Sequence, residues 1–289
     1  MAGQATAIAH GAATIVNAIA LGKGAAFGVD LWTKTQVNLT DEPHVFASEI
    51  TSDPQENTSL IEKTVARVLQ RFNVDKRFGA EIKTWSNIPV AKGLKSSSAA
   101  ANATALAATA ALGKTLGDLE LVKLGVEAAF DAKVTVTGAF DDACASYFGG
   151  TVITDNLNRQ IIKQMPVLQE LTVLFHVPSE KAYTINSDVK RLQTVKPLVE
   201  VAYEQALAGK VWEALSLNGL IYSSAQGFDP EIAIDALAAG AVAAGLCGKG
   251  PAVTAVTQKD KVDSVKAALQ KHGGEVLTAK LNNEKAKVL

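Results

Sequence analysis

Apolar residues recur with two periods along this chain, and the switches between them outline the elements. In Phe27–Leu39 (FGVDLWTKTQVNL) apolar and polar residues alternate, as a strand with one buried face requires. His44–Ile50 (HVFASEI) is a second short strand candidate, and Asp41-Glu42-Pro43 between the two suits a turn. Over Ser59–Phe72 the period lengthens: Leu60, Ile61, Val65, Val68, Leu69 and Phe72 fall on one helical face. Ala80–Trp85 returns to the strand period. An alanine-rich helix follows the loop at Pro89–Ser98, and Asp118–Phe130 reads as another helix with Asp118 as its cap. Glycines and a strand (YFGGTVITDN) close this half.

The second half opens on ELTVLFHVP, a buried-strand pattern that stops at Pro178. Helices are expected over Lys190–Leu207 and Val211–Ala225. DPEIAIDALAAG reads as a helix with Asp229 at the N-cap, Pro230 at the first position and Gly240 near the end. AVAAGL, the turn CGKGP and AVTAVT come next, then a helix (KDKVDSVKAALQKHG) and a strand (EVLTAK). This mixed order suits an α+β or mixed α/β architecture in two domains, 1–156 and 157–289, with the boundary near Asn156–Met165.

Composition narrows the class. Of the 289 residues 48% are apolar and 20% charged, which is the profile of a soluble globular protein with a sizeable core. The formal net charge of −1 lacks the basic footprint of a nucleic-acid binder. Cys144 and Cys247 are far apart and form no CxxC, which suits a reducing compartment. The opening MAGQATAIAHGAATIVNAIALGKG has no Lys or Arg before Lys23, and His10 and Asn17 interrupt its apolar run. It is read as strand and loop rather than a leader or a membrane span, and the expected location is cytoplasmic.

The chemistry concentrates in IPVAKGLKSSSAAANATALAATAAL, Ile88 to Leu112. Glycine lets a backbone approach a ligand closely, and a helix N-terminus offers unpaired N–H groups and the positive end of a dipole. A Gly-Leu-Lys-Ser-Ser-Ser loop feeding a helix supplies both, and serine hydroxyls there are within reach of a Mg²⁺ ion carried by phosphates. The bland alternative is a helix with redundant caps. No GxxxxGK[ST] occurs, and GKGAAFG (Gly22–Gly28) has the wrong spacing for GxGxxG. His10, His44, His176 and His272 are scattered without metal-ligand spacing, and no GxSxG occurs.

PVAKGLKSSSAAANA resembles the P-x-x-x-G-L-[GS]-S-S-[AS] loop of the GHMP small-molecule kinases. GAFDDACASYFGG (Gly138–Gly150) resembles that group's Asp-containing segment before a Gly-Gly pair, and GLCGKGPAVTAV (Gly245–Val256) its C-terminal glycine loop. The opening GAATIVNAIALGKGAAFGVDL, VTGAFDDACASYFGG and AIDALAAGAVAAGLCGKGPA are similar to the archaeal-type shikimate kinases within the group. The resemblance implies an α+β two-domain GHMP kinase fold, with an N-terminal domain like domain 2 of ribosomal protein S5 and a ferredoxin-like C-terminal domain. It implies Mg²⁺-ATP-dependent phosphorylation of the shikimate 3-hydroxyl, on the route to chorismate and the aromatic amino acids. Homoserine kinase is the alternative inside the group. A non-catalytic nucleotide-binding sensor is the alternative outside it.

The same resemblance assigns the phosphate loop to Pro89, Val90, Ala91, Lys92, Gly93, Leu94, Lys95, Ser96, Ser97, Ser98 and Ala99, with Ser97 or Ser98 at the metal. Lys95 stands where much of the group has Gly or Ser; it either adds charge near the phosphates or, the favoured expectation, points into solvent. Asp141 and Asp142 are the catalytic candidates. Read as part of a strand or loop they point different ways, one to substrate and the other to metal or a basic group, and the sequence does not choose between them. A surface acidic pair is the plain alternative. The shikimate carboxylate requires a cation, with Lys23, Lys190 and Arg191 as candidates. Asn17 and Thr137 are placed at the substrate hydroxyls, and Gly248 and Gly250, flanking Lys249, at the same cleft.

Overall fold

The computed structural model describes residues 3–90, 92–179 and 189–289. The first strand of the chain, β1 (Gln4–Val16), pairs antiparallel with β2 (Lys23–Thr40) along almost its whole length, and β2 also pairs with β4 (Gly79–Ser86). A short β3 (Phe46–Ile50) joins β4 in parallel through the crossover helix α1 (Ser59–Arg71). The N-terminal end of β2 turns to pair with β5 (Thr151–Asp155), which forms a hairpin with β6 (Gln160–Met165). Three more helices, α2 (Ser96–Ala111), α3 (Asp118–Asp131) and α4 (Phe140–Phe148), pack with α1 against this sheet.

The chain then passes to a second, antiparallel sheet. It contains β7 (Thr172–Val177), β8 (Ala243–Leu246), β9 (Val253–Thr257) and β10 (Glu275–Lys280), in the order β10-β7-β9-β8. Helices α5 (Val189–Thr194), α6 (Lys196–Leu207), α7 (Val211–Gln226), α8 (Glu231–Ala238) and α9 (Val262–Gln270) accompany it. The last strand, β11 (Lys287–Val288), returns to the first sheet beside β1.

Residues of β1 and β2 alternate between two cores. Ala7, Ala9, Ala12 and Ala26 face α1–α4, whereas Ala13, Ile15, Phe27 and Val29 join the core shared with α6, α7 and the second sheet. A strand buried on both faces cannot show simple alternation, and only the second half of β2 keeps the period of two. In α2 the alanines Ala99, Ala103, Ala105, Ala107 and Ala108 are fully buried. Their small side chains bring helices close: a Cβ on Gly125 of α3 would stand 3.2 Å from that of Ala101.

Most expected elements are present, with several local differences. The hairpin strand β6 falls where the sequence suggested a boundary; the turn at Asn156–Arg159 lies inside the first sheet, and the passage to the second runs over 166–171. Asp118 does not cap α3. It is the helix's first residue, behind Gly117, and its carboxylate accepts from Tyr147 Oη at 3.0 Å and pairs with Lys285. Asp141 and Asp142 lie in no strand or loop; they occupy the first turn of α4. Before α8 the N-cap is Pro230, one residue later than expected, and Asp229 Oδ1 still accepts from Glu231 N at 2.9 Å. Among the described residues no helix is long and apolar enough to cross a membrane.

Candidate active site

The mouth of α2 opens into a cavity of about 410 Å³, a size that suits a small-molecule site. The first intrahelical bond closes Ala99 N onto Lys95 O at 3.1 Å, so the N–H groups of Ser96, Ser97 and Ser98 have no partner within the helix. No side chain caps this end and no acidic residue stands in its first turn. An anion there meets free donors and the positive end of the helix dipole.

Lys95 enters the helix with φ +65° and ψ +30°, a left-handed conformation that costs a non-glycine residue about 1–2 kcal/mol. That turn swings its side chain inward rather than into solvent, against the sequence expectation. Lys95 Nζ lies 3.0 Å from Asp142 Oδ2, with only about a tenth of either side chain exposed. Burial opposes the charge on Lys95, but Asp142, Cys247 and Asp141 outweigh it and hold the ammonium above its ordinary range. Gly248 makes room for it: φ is +64°, and a Cβ there would fall 2.6 Å from Lys95 Nζ.

The two glycine loops are locked together. Cys247 Sγ donates to Gly93 O at 3.1 Å, and Ala252 N to Lys92 O at 3.2 Å. Gly93 has φ +90°, and a Cβ on it would strike Cys247 O at 2.5 Å. Only glycine fits this crossing, and it fixes the C-terminal loop against the mouth of α2.

Asp141 and Asp142 are buried, so the surface-pair alternative fails. Asp141 Oδ1 accepts from Asn156 Nδ2 at 2.8 Å; Asn156 Oδ1 in turn accepts from Thr154 Oγ1 at 2.6 Å. The other oxygen of Asp141 is packed over Gly24, where a Cβ would meet it at 2.3 Å. Burial first, then the adjacent Asp142 charge, push the Asp141 carboxyl up to about 7. Asp142 keeps one oxygen on Lys95, while its buried Oδ1 has no hydrogen-bond partner among the described residues. Asn102 of α2 donates to Ala143 O at 2.9 Å and so ties the two helix starts together.

Of the expected site residues, Val90, Gly93, Lys95, Ser96, Ser97, Ser98, Asn17, Thr137, Gly248, Asp141 and Asp142 line the cavity. Leu94 and Ala99 point into the cores, and Pro89 lies behind the lining. Lys92 Nζ reaches away to Pro178 O and Ser179 O, at 2.5 and 2.6 Å. Ala91 lies outside the described residues. Gly250, at φ +80°, shapes the loop from behind, against Leu246 and Phe228. Lys23 is exposed beside the Tyr203 ring, and neither it nor Lys190 nor Arg191 is part of the lining. Part of the lining is apolar, with Ile50, Leu60, Ile61, Val126 and Val134, and Ser52, Glu56, Asn57 and Lys133 also line the cavity.

The sequence profile of the family described as GHMP kinases N terminal domain matches residues 59–150, which carry α1, β4, the loop, α2, α3 and α4. Across nearly the whole chain the likeness is closer. It is 48% identical over 282 residues to a shikimate kinase of Methanosarcina mazei, covering 97% of this chain and 95% of that one. It is 43% identical over 268 residues to one of Pyrococcus furiosus, covering 93% and 96%. The chain belongs to the archaeal shikimate kinase family. Solved structures agree on the fold alone. Homoserine kinase from Cytophaga hutchinsonii superposes with a TM-score of 0.73 at 19% identity, over 100% of this chain and 98% of that one. Mevalonate kinase from Methanococcus jannaschii gives 0.75 at 15% identity, over 96% and 98%. The two-sheet architecture is thus the GHMP kinase fold.

Sequence reasoning missed several cavity residues of this shikimate kinase family member. Thr14 sits at a β-bulge, where Thr14 faces Ala26 and Val16 faces Ala25 with Ile15 left over. Its hydroxyl is buried, unpartnered and part of the lining. Lys249, by contrast, was expected at this cleft with its flanking glycines; it lines the cavity, and its buried Nζ has no partner among the described residues. Burial, then the nearby Lys95 charge, pull that ammonium down to about 7. Asn156 holds Asp141 directly and Thr154 holds Asn156, though neither lines the cavity. The glycines flanking Lys249 were a usable signal; the bulge and the Asn156 contact left none.

Proposed function

We infer that the protein transfers the γ-phosphoryl group of ATP to the 3-hydroxyl of shikimate. The observation that carries this reading is the meeting, in one cavity, of an uncapped helix mouth and a lysine–aspartate pair with a free carboxylate oxygen. Phosphoryl transfer needs positioning and charge stabilisation more than covalent help. The N–H groups of Ser96, Ser97 and Ser98 hold the phosphates, and Gly93 lets the backbone come close. The apolar part of the lining, with Leu60, Ile61 and Val134, takes the purine.

Lys95 sits between the helix mouth and the acidic pair, where negative charge builds as the phosphoryl group moves. Asp142 Oδ1 accepts the proton of the attacking hydroxyl, and Lys95 fixes the carboxylate's orientation from its other oxygen. Asp141, held by Asn156, shapes the pocket behind it. Asn17 and Thr137 contact the acceptor's hydroxyls.

Among the described residues no cluster of three or more His, Cys, Asp or Glu side chains is placed to hold a metal. Magnesium does not require one, since it keeps several waters and binds through phosphate oxygens with one or two protein ligands. The all-oxygen donor set at the mouth of α2 fits it, with Ser97 or Ser98 as the protein ligand. An ion held there would neutralise charge on the transferring phosphates. In this reading the part of the chain up to β6 holds the nucleotide and the part from β7 onwards supplies the glycine loop.

A coupled ADP-release assay with shikimate, homoserine, mevalonate and galactose tests the assignment. Release with shikimate alone is expected. Turnover of homoserine in its place overturns the acceptor, and nucleotide binding without release under any of the four would mark a sensor.

A further inference from the structure

The phosphates have the helix mouth and Lys95, and the acceptor's hydroxyls have Asn17, Thr137 and Asp142. The acceptor's carboxylate has none of these. Three lysines line the cavity, among the described residues: Lys95, Lys133 and Lys249. Lys95 is engaged by Asp142, and Lys133 is an exposed residue directly before Val134 of the apolar lining. Lys249 remains, on the C-terminal glycine loop beside the mouth of α2.

Its state in the free protein is unusual. An ammonium removed from water without a hydrogen-bond acceptor is expensive to keep, and such groups are found where a ligand completes them. Among the described residues the buried Lys249 Nζ has no hydrogen-bond partner, and the charge that acts on it is another cation, Lys95. A second orphan lies on the same wall. Thr14 is 2% exposed, its Oγ1 has no partner among the described residues, and a Cβ on Gly248 would lie 3.6 Å from it. The bulge in β1 turns this hydroxyl towards the glycine loop.

We propose that Lys249 Nζ and Thr14 Oγ1 form the subsite that receives the carboxylate of the acceptor, and that this subsite selects a hydroxy acid over a neutral polyol. The assignment rests on the acceptor reading given above. The ammonium donates to the carboxylate as a charge-assisted bond, and the hydroxyl donates a second. Lys95 Nζ stands 3.0 Å from Asp142 Oδ2 and 2.6 Å from the place of a Cβ on Gly248, the residue before Lys249, so a ring held at the subsite by its carboxylate presents its far hydroxyls towards Asp142.

The test compares shikimate with its methyl ester in the wild-type enzyme and in Lys249→Met. Charge-assisted bonds of this kind are worth roughly 10–100-fold in affinity. In K249M the KM for shikimate should rise by about that factor with a smaller change in kcat. The KM for the ester should barely differ between the two proteins, and the affinity for a non-hydrolysable ATP analogue should hold. The melting temperature of unliganded K249M should equal or exceed that of the wild type, because an uncompensated buried charge has gone. Thr14→Val should weaken shikimate several-fold and leave the ATP analogue unaffected. Unchanged shikimate affinity in both variants overturns the proposal. So does a loss confined to the ATP analogue, which would place Lys249 on the phosphates. If the wild type phosphorylates homoserine rather than shikimate, the acceptor assignment fails, yet the carboxylate subsite is still judged by homoserine against its methyl ester.

Discussion

Helices α3 and α4 both carry acidic residues in their first turn, and the two beginnings are built for different ends. Asp118 opens α3 with its side chain about 40% exposed, and every demand on it is met: it accepts from Tyr147 Oη and from Lys285 Nζ, the latter at 2.6 Å. Asp141 and Asp142 open α4 in the interior, where one carboxyl is pushed up towards neutrality and the other has an oxygen with nothing to accept. Both places gain from the helix dipole. Only the second retains unspent hydrogen-bonding capacity, and the same interior holds the left-handed Lys95 and the orphaned Lys249 and Thr14. Strain and unpaired polar atoms gathered in one cavity mark a site awaiting ligands; a satisfied surface pair marks structure.

The sharpest way to break this contrast is to remove the free oxygen. Asp142→Asn keeps the size of the side chain and a partner for Lys95, but it cannot take a proton from an attacking hydroxyl. Turnover should fall by about 10²–10⁴, the usual contribution of a positioned base, with the circular dichroism spectrum unchanged. A variant that retains full kcat would return Asp142 to the structural class of Asp118.

The contrast also shows what the sequence could carry. The periods of two and of 3.6 located the strand at Phe27–Leu39 and the helix at Ser59–Phe72 because each has one buried face. The glycine and serine run announced the mouth of α2 for the same local reason. β6 escaped because an edge strand, QIIKQM, is largely exposed and offers little pattern. α4 escaped because its nine residues, entered from Gly138 and left through Gly149, are buried on nearly every side and show no amphipathic period. The inward turn of Lys95 could not be read locally, since a lone lysine in a loop prefers solvent. It is decided by Asp142, 47 positions further on, and by the missing side chain at Gly248. The bulge at Thr14 is a matter of register between two strands, which composition does not record.

A weaker but more diagnostic effect is expected at Asp141. Its pKa is raised on folding, so the folded chain holds the proton more tightly than the unfolded chain. The stability this group contributes is fully present below about pH 4 and is lost as pH rises through about 7. Asp141→Asn removes that dependence. At pH 8 the variant should melt several degrees above the wild type. The gap should close as the pH is lowered towards 4. Equal melting curves at pH 8 would show that the buried carboxyl carries no such penalty.

The smallest effect belongs to the other helix start, and it completes the comparison. Asp118→Asn retains an oxygen for Tyr147 Oη and loses only the charge that attracts Lys285, whose side chain is about half exposed. Exposed pairs of this kind contribute about 0–1 kcal/mol, and the dipole at the start of α3 adds a few tenths. The melting temperature should fall by no more than about 3 °C, and kcat and both KM values should match the wild type. Because the lost term is electrostatic and faces solvent, the difference should shrink further in 0.5 M salt, about the concentration at which the Debye length falls to a few ångströms. The difference at Asp141 should persist in the same salt, since its charge is screened by protein rather than by ions. A salt-insensitive loss at Asp118 would mean that the bond to Tyr147, which an amide oxygen accepts more weakly than a carboxylate, matters more to the start of α3 than the pair with Lys285.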